Sequence, residues 1–105
     1  MTTRASDIAD FYQQLALLVK SDLPLPESLR QLGEHVTKPG FRQAVLDISR
    51  ATERGEKLSD AIRKYPQFFN SFHIQLIIAG ESSGTLSEVL LAVARLARFG
   101  QVLSS

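Results

Sequence analysis

Between residues 6 and 19 the apolar side chains Ile8, Phe11, Tyr12, Leu15, Leu18 and Val19 recur at intervals of three and four. That spacing puts them on one stripe of an amphipathic helix, with Ser6 as its expected cap and Asp7 suited to the positive end of its dipole. Leu23-Pro24-Leu25-Pro26 breaks the pattern, because proline fixes its own backbone and restricts the residue before it. Pro26 can open a second helix whose inner face is Leu29, Leu32 and Val36. A second break at 37–40 carries Pro39, and Phe41, Val45, Ile48 and Ala51 make a third stripe that Gly55 closes as a C-terminal cap. Ser59 is expected to cap a short fourth helix around Ile62, stopped by Pro66. Asn70 or Ser71 is placed to cap a fifth running to about Ala79. Residues 80–84 then read as a tight connection, with Gly80 ending one helix, and a sixth helix runs from about Ser87 to Phe99.

No segment alternates with period two, so the expected fold class is all-α: a compact six-helix bundle with short turns. The predicted core is Phe11, Leu15, Leu18, Leu29, Leu32, Val45, Ile48, Ile62, Ile74, Ile77, Ile78, Leu90, Val93 and Leu96. Phe68 and Phe69 are adjacent, and one of them is expected to face outward. The strings Leu25-Pro26-Glu27-Ser28-Leu29, Leu58-Ser59-Asp60-Ala61-Ile62 and Leu86-Ser87-Glu88-Val89-Leu90 echo one another. Each has an apolar residue, a helix-starting residue and an acid, then an apolar residue. The general physics of helix starts can generate this, and the unequal spacings exclude a solenoid of fixed repeat.

Composition narrows the functional classes. A chain of 105 residues, 44% hydrophobic, fits one domain over 1–105, with its motif-bearing part at about 6–99. The formal charge of +1 comes from 12 Lys and Arg against 11 Asp and Glu, without the clustered basic excess that phosphate neutralisation needs. Nucleic acid is therefore not an expected partner. The densest basic stretch, 50–64, holds Arg50, Arg54, Lys57, Arg63 and Lys64 but is interrupted by Glu53, Glu56 and Asp60. It reads first as a solvated helical face and secondly as a docking patch for an acidic protein or an anionic membrane surface. With no cysteine, disulfides and thiolate metal sites are excluded. The first six residues lack the apolar core of a signal peptide, and no apolar run approaches the ~20 residues a bilayer span requires. The chain itself is expected to be soluble.

The sharpest local signal is Gly80-Glu81-Ser82-Ser83-Gly84-Thr85-Leu86 between two expected helices. It lacks the lysine, spacing and preceding strand of a P-loop. Its order with other elements is more specific: Phe11-Tyr12-Gln13-Gln14-Leu15-Ala16, Leu23-Pro24-Leu25, Gly55, Leu58-Ser59-Asp60-Ala61-Ile62, Tyr65-Pro66 and Phe69, then this string and Leu90. Taken together, residues 11–99 resemble the cytoplasmic F domain of the type II secretion F and type IV pilus inner-membrane platform proteins. The turn Lys20-Ser21-Asp22 departs from that pattern, where the family usually has a small residue followed by glycine. Family members also carry two such domains and several membrane-spanning helices, so the chain reads as an excised domain or the start of a shorter relative.

The resemblance implies a non-enzymatic scaffold at the cytoplasmic face of the bacterial inner membrane. Such a scaffold couples an assembly ATPase to pilin or pseudopilin assembly, and Gly80, Glu81, Gly84 and Leu86 are its family motif. Its implied partners are that ATPase and other platform components, with a second copy of the chain also expected. Membrane association would come through parts of the parent protein absent here. The alternative is a free-standing soluble helical adaptor; a metal-dependent enzyme is the least favoured reading. Neither His35, at the end of a helix, nor His73, among aromatics, has a nucleophile or a ligand set beside it. No catalytic residue or organic cofactor is expected. Glu81 and Glu88 flank the turn and offer the oxygens a hard cation such as calcium takes. The simpler expectation has Glu81 accepting from backbone amides at the start of the following helix.

Overall fold

The computed structural model describes the backbone of residues 2–104 and the side chains of residues 2–99. It contains six helices and, among the described residues, no strand: α1 (Ala5–Lys20), α2 (Leu25–His35), α3 (Pro39–Glu53), α4 (Leu58–Ile62), α5 (Ser71–Ser83) and α6 (Leu86–Ser104). Each helix packs on its neighbours in sequence, and α6 returns to α1 in the most extensive contact of all, so the packing closes into a ring.

Local chemistry explains most boundaries, and three differ from expectation for identifiable reasons. The first helix begins at Ala5, not after Ser6: the Asp7 carboxylate accepts from the Arg4 backbone N–H at 2.8 Å and also takes Lys38 Nζ at 2.7 Å. This charge-assisted bond from the cap residue's own N–H to an acid in the first turn fixes the cap position at Arg4 and leaves Ser6 inside the helix. Pro24 and Pro26 bracket the start of α2. The Pro26 carbonyl accepts from the Ser49 hydroxyl at 2.8 Å, which ties α2 to α3. The second difference is Ser59, which sits inside α4 and does not cap it; Lys57 holds the cap position without a side-chain bond.

The third difference lies at Gly80, which does not end α5 but is a buried residue within it. A methyl group there would lie 2.8 Å from Val89 Cγ2 on α6, so glycine sets the close approach of the last two helices. The connection shrinks to Gly84 and Thr85. Gly84 takes a left-handed φ of 73°, and the N–H groups of both residues turn back to the Gly80 carbonyl. Outside glycine, the only positive φ among the described residues is 67° at Asp22.

Aromatic rings fill the middle of the ring of helices. Phe11 lies 5.5 Å from Phe41 and 5.7 Å from Phe69 between ring centres, and Phe68 lies 5.2 Å from Phe41. Phe69 is buried in the core and Phe68 only partly so, which follows the expected division of the pair, although the Phe68 ring still joins the same cluster. The turn at Tyr65 makes this feasible: its carbonyl accepts from the N–H of both residues. Tyr12, Phe41, Phe69 and Leu58 are all buried and extend the expected core. Leu18 and Ile78 pack on that core only partly, and Leu96 is 41% exposed, against the expectation that all three are core residues.

Candidate functional site

Two regions collect the residues singled out from the sequence. The first is a cleft of about 510 Å³ at one end of the bundle. Leu25, Leu58 and Leu86, the first residues of α2, α4 and α6, line it together with Val19 from the end of α1. The three echoing strings are therefore three helix starts that meet in space. Gly80, Glu81, Ser82 and Gly84 close the cleft from the end of α5, so all four motif residues, Leu86 included, border it.

Glu81 is the polar centre of this region. One carboxylate oxygen accepts from the Ser59 backbone N–H at 3.0 Å and the other from the Ser59 hydroxyl at 2.6 Å. Ser59 is 2% exposed, so these donors have little access to water. The carboxylate does bond a helix-start amide, but that of α4 and not that of α6. The reason is need: α4 spans five residues and its cap residue, Lys57, has no acceptor to offer. A carboxylate 22 residues downstream supplies the missing cap and holds α4 against α5.

Glu88 lies across the same cleft, exposed in the first turn of α6. A cation bridging Glu81 and Glu88 would have to compete with Ser59 for both Glu81 oxygens. Among the described residues no group of three or more His, Cys, Asp or Glu is placed to hold a metal ion.

The second region is the basic face. The structure gathers Arg50, Arg54 and Lys64 around one groove between α3 and α4, while Lys57 borders the other cleft and Arg63 lines neither. Arg50 pairs with Asp47 at 2.7 Å, and Arg63 lies 3.7 Å from Asp60. Glu56 is shared by Lys64 at 2.8 Å and Arg54 at 3.2 Å; these two partners, Lys64 foremost, hold its carboxyl below the usual glutamate range. Tyr65 donates to the second oxygen of Asp47 at 3.0 Å, and partial burial together with that acceptor pushes its phenol up.

Neither histidine is built into a reactive pair. His35 is the last residue of α2, its Nδ1 2.8 Å from the Gln31 carbonyl. His73 is half-buried beside Tyr12, its Nδ1 without a partner, and burial pushes its pKa below the ordinary 6.5. The Tyr12 hydroxyl is likewise buried without a partner, a feature that periodicity could not reveal.

Residues 11–101 match the sequence profile described as type II secretion system (T2SS), protein F. The chain is 36% identical over 88 residues to a type IV pilus assembly protein PilC of Pseudomonas aeruginosa, covering 84% of this chain and 24% of that protein. It is 36% identical over 99 residues to a type II secretion system protein F of Vibrio cholerae, covering 94% of this chain and 24% of that protein. A PilC of Myxococcus xanthus is 32% identical over 84 residues, 80% of this chain and 20% of that protein. The chain thus spans about a quarter or less of these relatives.

Proposed function

Because the chain belongs to the type II secretion system protein F family, we propose that it is a non-enzymatic assembly domain of an inner-membrane platform. In this reading it couples a cytoplasmic assembly ATPase to pilin or pseudopilin assembly. The supporting observation is that both secretion and pilus relatives match it over four-fifths or more of its length. The motif residues act architecturally: Glu81 caps α4 and Gly80 lets α5 and α6 close, which leaves the exposed faces to do the binding. No helix among the described residues is long and apolar enough to cross a membrane, so attachment in this assembly falls to segments outside them.

The expected second copy has a candidate seat. Phe72, Leu76 and Ala79 on α5, and Ala92, Leu96 and Phe99 on α6, repeat the same i, i+4, i+7 spacing on two helices joined by a tight turn. Phe72 and Phe99 are each about 60% exposed, a large apolar area for a free surface. Sedimentation of the wild type and of Phe72→Glu should show a dimer that the variant lacks.

The ATPase coupling is tested by titrating the purified chain against the assembly ATPase of its own secretion or pilus system. Saturable binding with Kd in about the micromolar range is expected. No binding up to about 1 mM would remove the coupling reading.

A further inference from the structure

We propose that the groove between α3 and α4 is a docking site for an acidic segment of a partner protein. This deepens the platform reading by giving the chemistry of one partner; only that partner's identity rests on it. The groove holds about 250 Å³. Its floor includes Ala51 from α3 and Ala61 from α4, whose small side chains let another backbone come close. Three cations rise around that floor, Arg50, Arg54 and Lys64, each with more than half of its side chain exposed. Asp47 is the single acid in the lining, and it already accepts from both Arg50 and Tyr65.

The cations have internal partners, but weak ones. Arg50 pairs with Asp47 one turn away on its own helix, and Arg54 and Lys64 share the one carboxylate of Glu56. Exposed pairs of this kind contribute no more than about 1 kcal/mol, so incoming carboxylates can displace them at little cost. Guanidinium groups spaced along one helix also suit a row of carboxylates, each able to be held by two parallel hydrogen bonds. Concavity favours a peptide over a membrane: a bilayer surface meets the tips of protruding cations and leaves a small-residue floor unused.

The test titrates the isotope-labelled chain with a capped peptide of Glu and Ala, and in parallel with the same peptide carrying Gln for Glu. The amide signals of Arg50, Ala51, Arg54, Ala61 and Lys64 should shift with the Glu peptide and stay put with the Gln peptide. Arg54→Glu combined with Lys64→Glu should weaken binding at least about tenfold, the scale of one lost charge-assisted contact. Arg54→Gln with Lys64→Gln is the gentler pair if the reversal perturbs folding. Glu56→Gln should tighten binding two- to threefold, on the order of the exposed pair it releases.

Shifts mapping elsewhere, or binding indifferent to all these changes, would overturn the proposal. So would capture by phosphatidylglycerol vesicles without capture of the peptide, since the face would then meet a membrane. The outcome is separable from the coupling reading. An ATPase that binds the reversed variant as well as the wild type retains the coupling and removes the groove. A peptide that binds while the ATPase does not retains the groove and removes the coupling.

Discussion

Replacing Glu81 with alanine should destabilise the chain by about 2–3 kcal/mol while leaving every other helix its own bonds. The carboxylate accepts from the Ser59 N–H at 3.0 Å and the Ser59 hydroxyl at 2.6 Å. Charge-assisted bonds of this kind contribute about 1.5–3 kcal/mol each. The upper sum is not reached, because Glu81 is only half-buried and water can enter where its side chain stood. Against a total stability of about 5–15 kcal/mol this is a large fraction, and it should lower Tm by roughly 10–20 °C. Glu81→Gln keeps an acceptor for the amide but loses the charge, so about 1 kcal/mol is expected. Ser59→Ala removes the hydroxyl bond alone, and the Glu81→Ala, Ser59→Ala cycle should show coupling of about 1 kcal/mol. Urea unfolding followed by circular dichroism reads the stabilities, and exchange of the Ser59 amide reads the cap directly. If Glu81→Ala stays within about 0.5 kcal/mol of wild type and that amide remains protected, the borrowed cap does not hold α4.

Four further outcomes follow from single features. Gly80→Ala should cost about 1–3 kcal/mol by forcing a methyl into Val89, with partial recovery on adding Val89→Ala; calorimetry showing a gain would mean the helices are not in close approach. Tyr12→Phe removes a buried hydroxyl without a partner and should be neutral or stabilising by about 1 kcal/mol, and a loss of similar size in urea titrations would count against its isolation. Asp22→Gly relieves a left-handed backbone at φ 67° and should raise stability by up to about 1 kcal/mol in thermal melts, provided the loop keeps this geometry. His73 has its pKa lowered by burial, so the unfolded chain binds the proton more readily. Stability should therefore be complete above pH 6.5 and decline below it toward the lowered folded value, with a slope of at most about 1.4 kcal/mol per pH unit. His73→Gln should flatten that part of the profile, and an unchanged slope would assign it to the carboxylates.

What the sequence made legible was whatever local spacing controls. The stripes at Phe11, Leu15, Val45 and Ile48 name buried residues because a helix face repeats with the period that periodicity measures. The elements read less well at their ends, and in each case a partner distant in sequence, or an acid already in the first turn, displaced the obvious local group. Ser6 yielded to Asp7, which Lys38 also holds across 31 residues. Leu96 looked like a core residue on its own stripe yet is 41% exposed, because periodicity places a residue on a face without saying whether a neighbouring element covers that face at its level.

The candidate site shows the same division more sharply. Three helix-start strings could be seen in the sequence, and generic capping physics was enough to explain each one alone. What that physics cannot supply is their meeting at one cleft, where Leu25, Leu58 and Leu86 lie together with the end of α5 beside them. Once they meet, the shortest helix no longer needs an acceptor of its own. Lys57 can stand at the cap position of α4 because Glu81 reaches it from α5, and Ser59 is then free to donate where it was expected to accept. A cap borrowed from a neighbouring helix leaves no local trace at the helix it serves. It appears instead as an acid lodged between two glycines, Gly80 and Gly84, each of which has a separate backbone reason to be there. The motif string is thus three independent packing requirements placed side by side: a close approach, a distant cap and a left-handed turn.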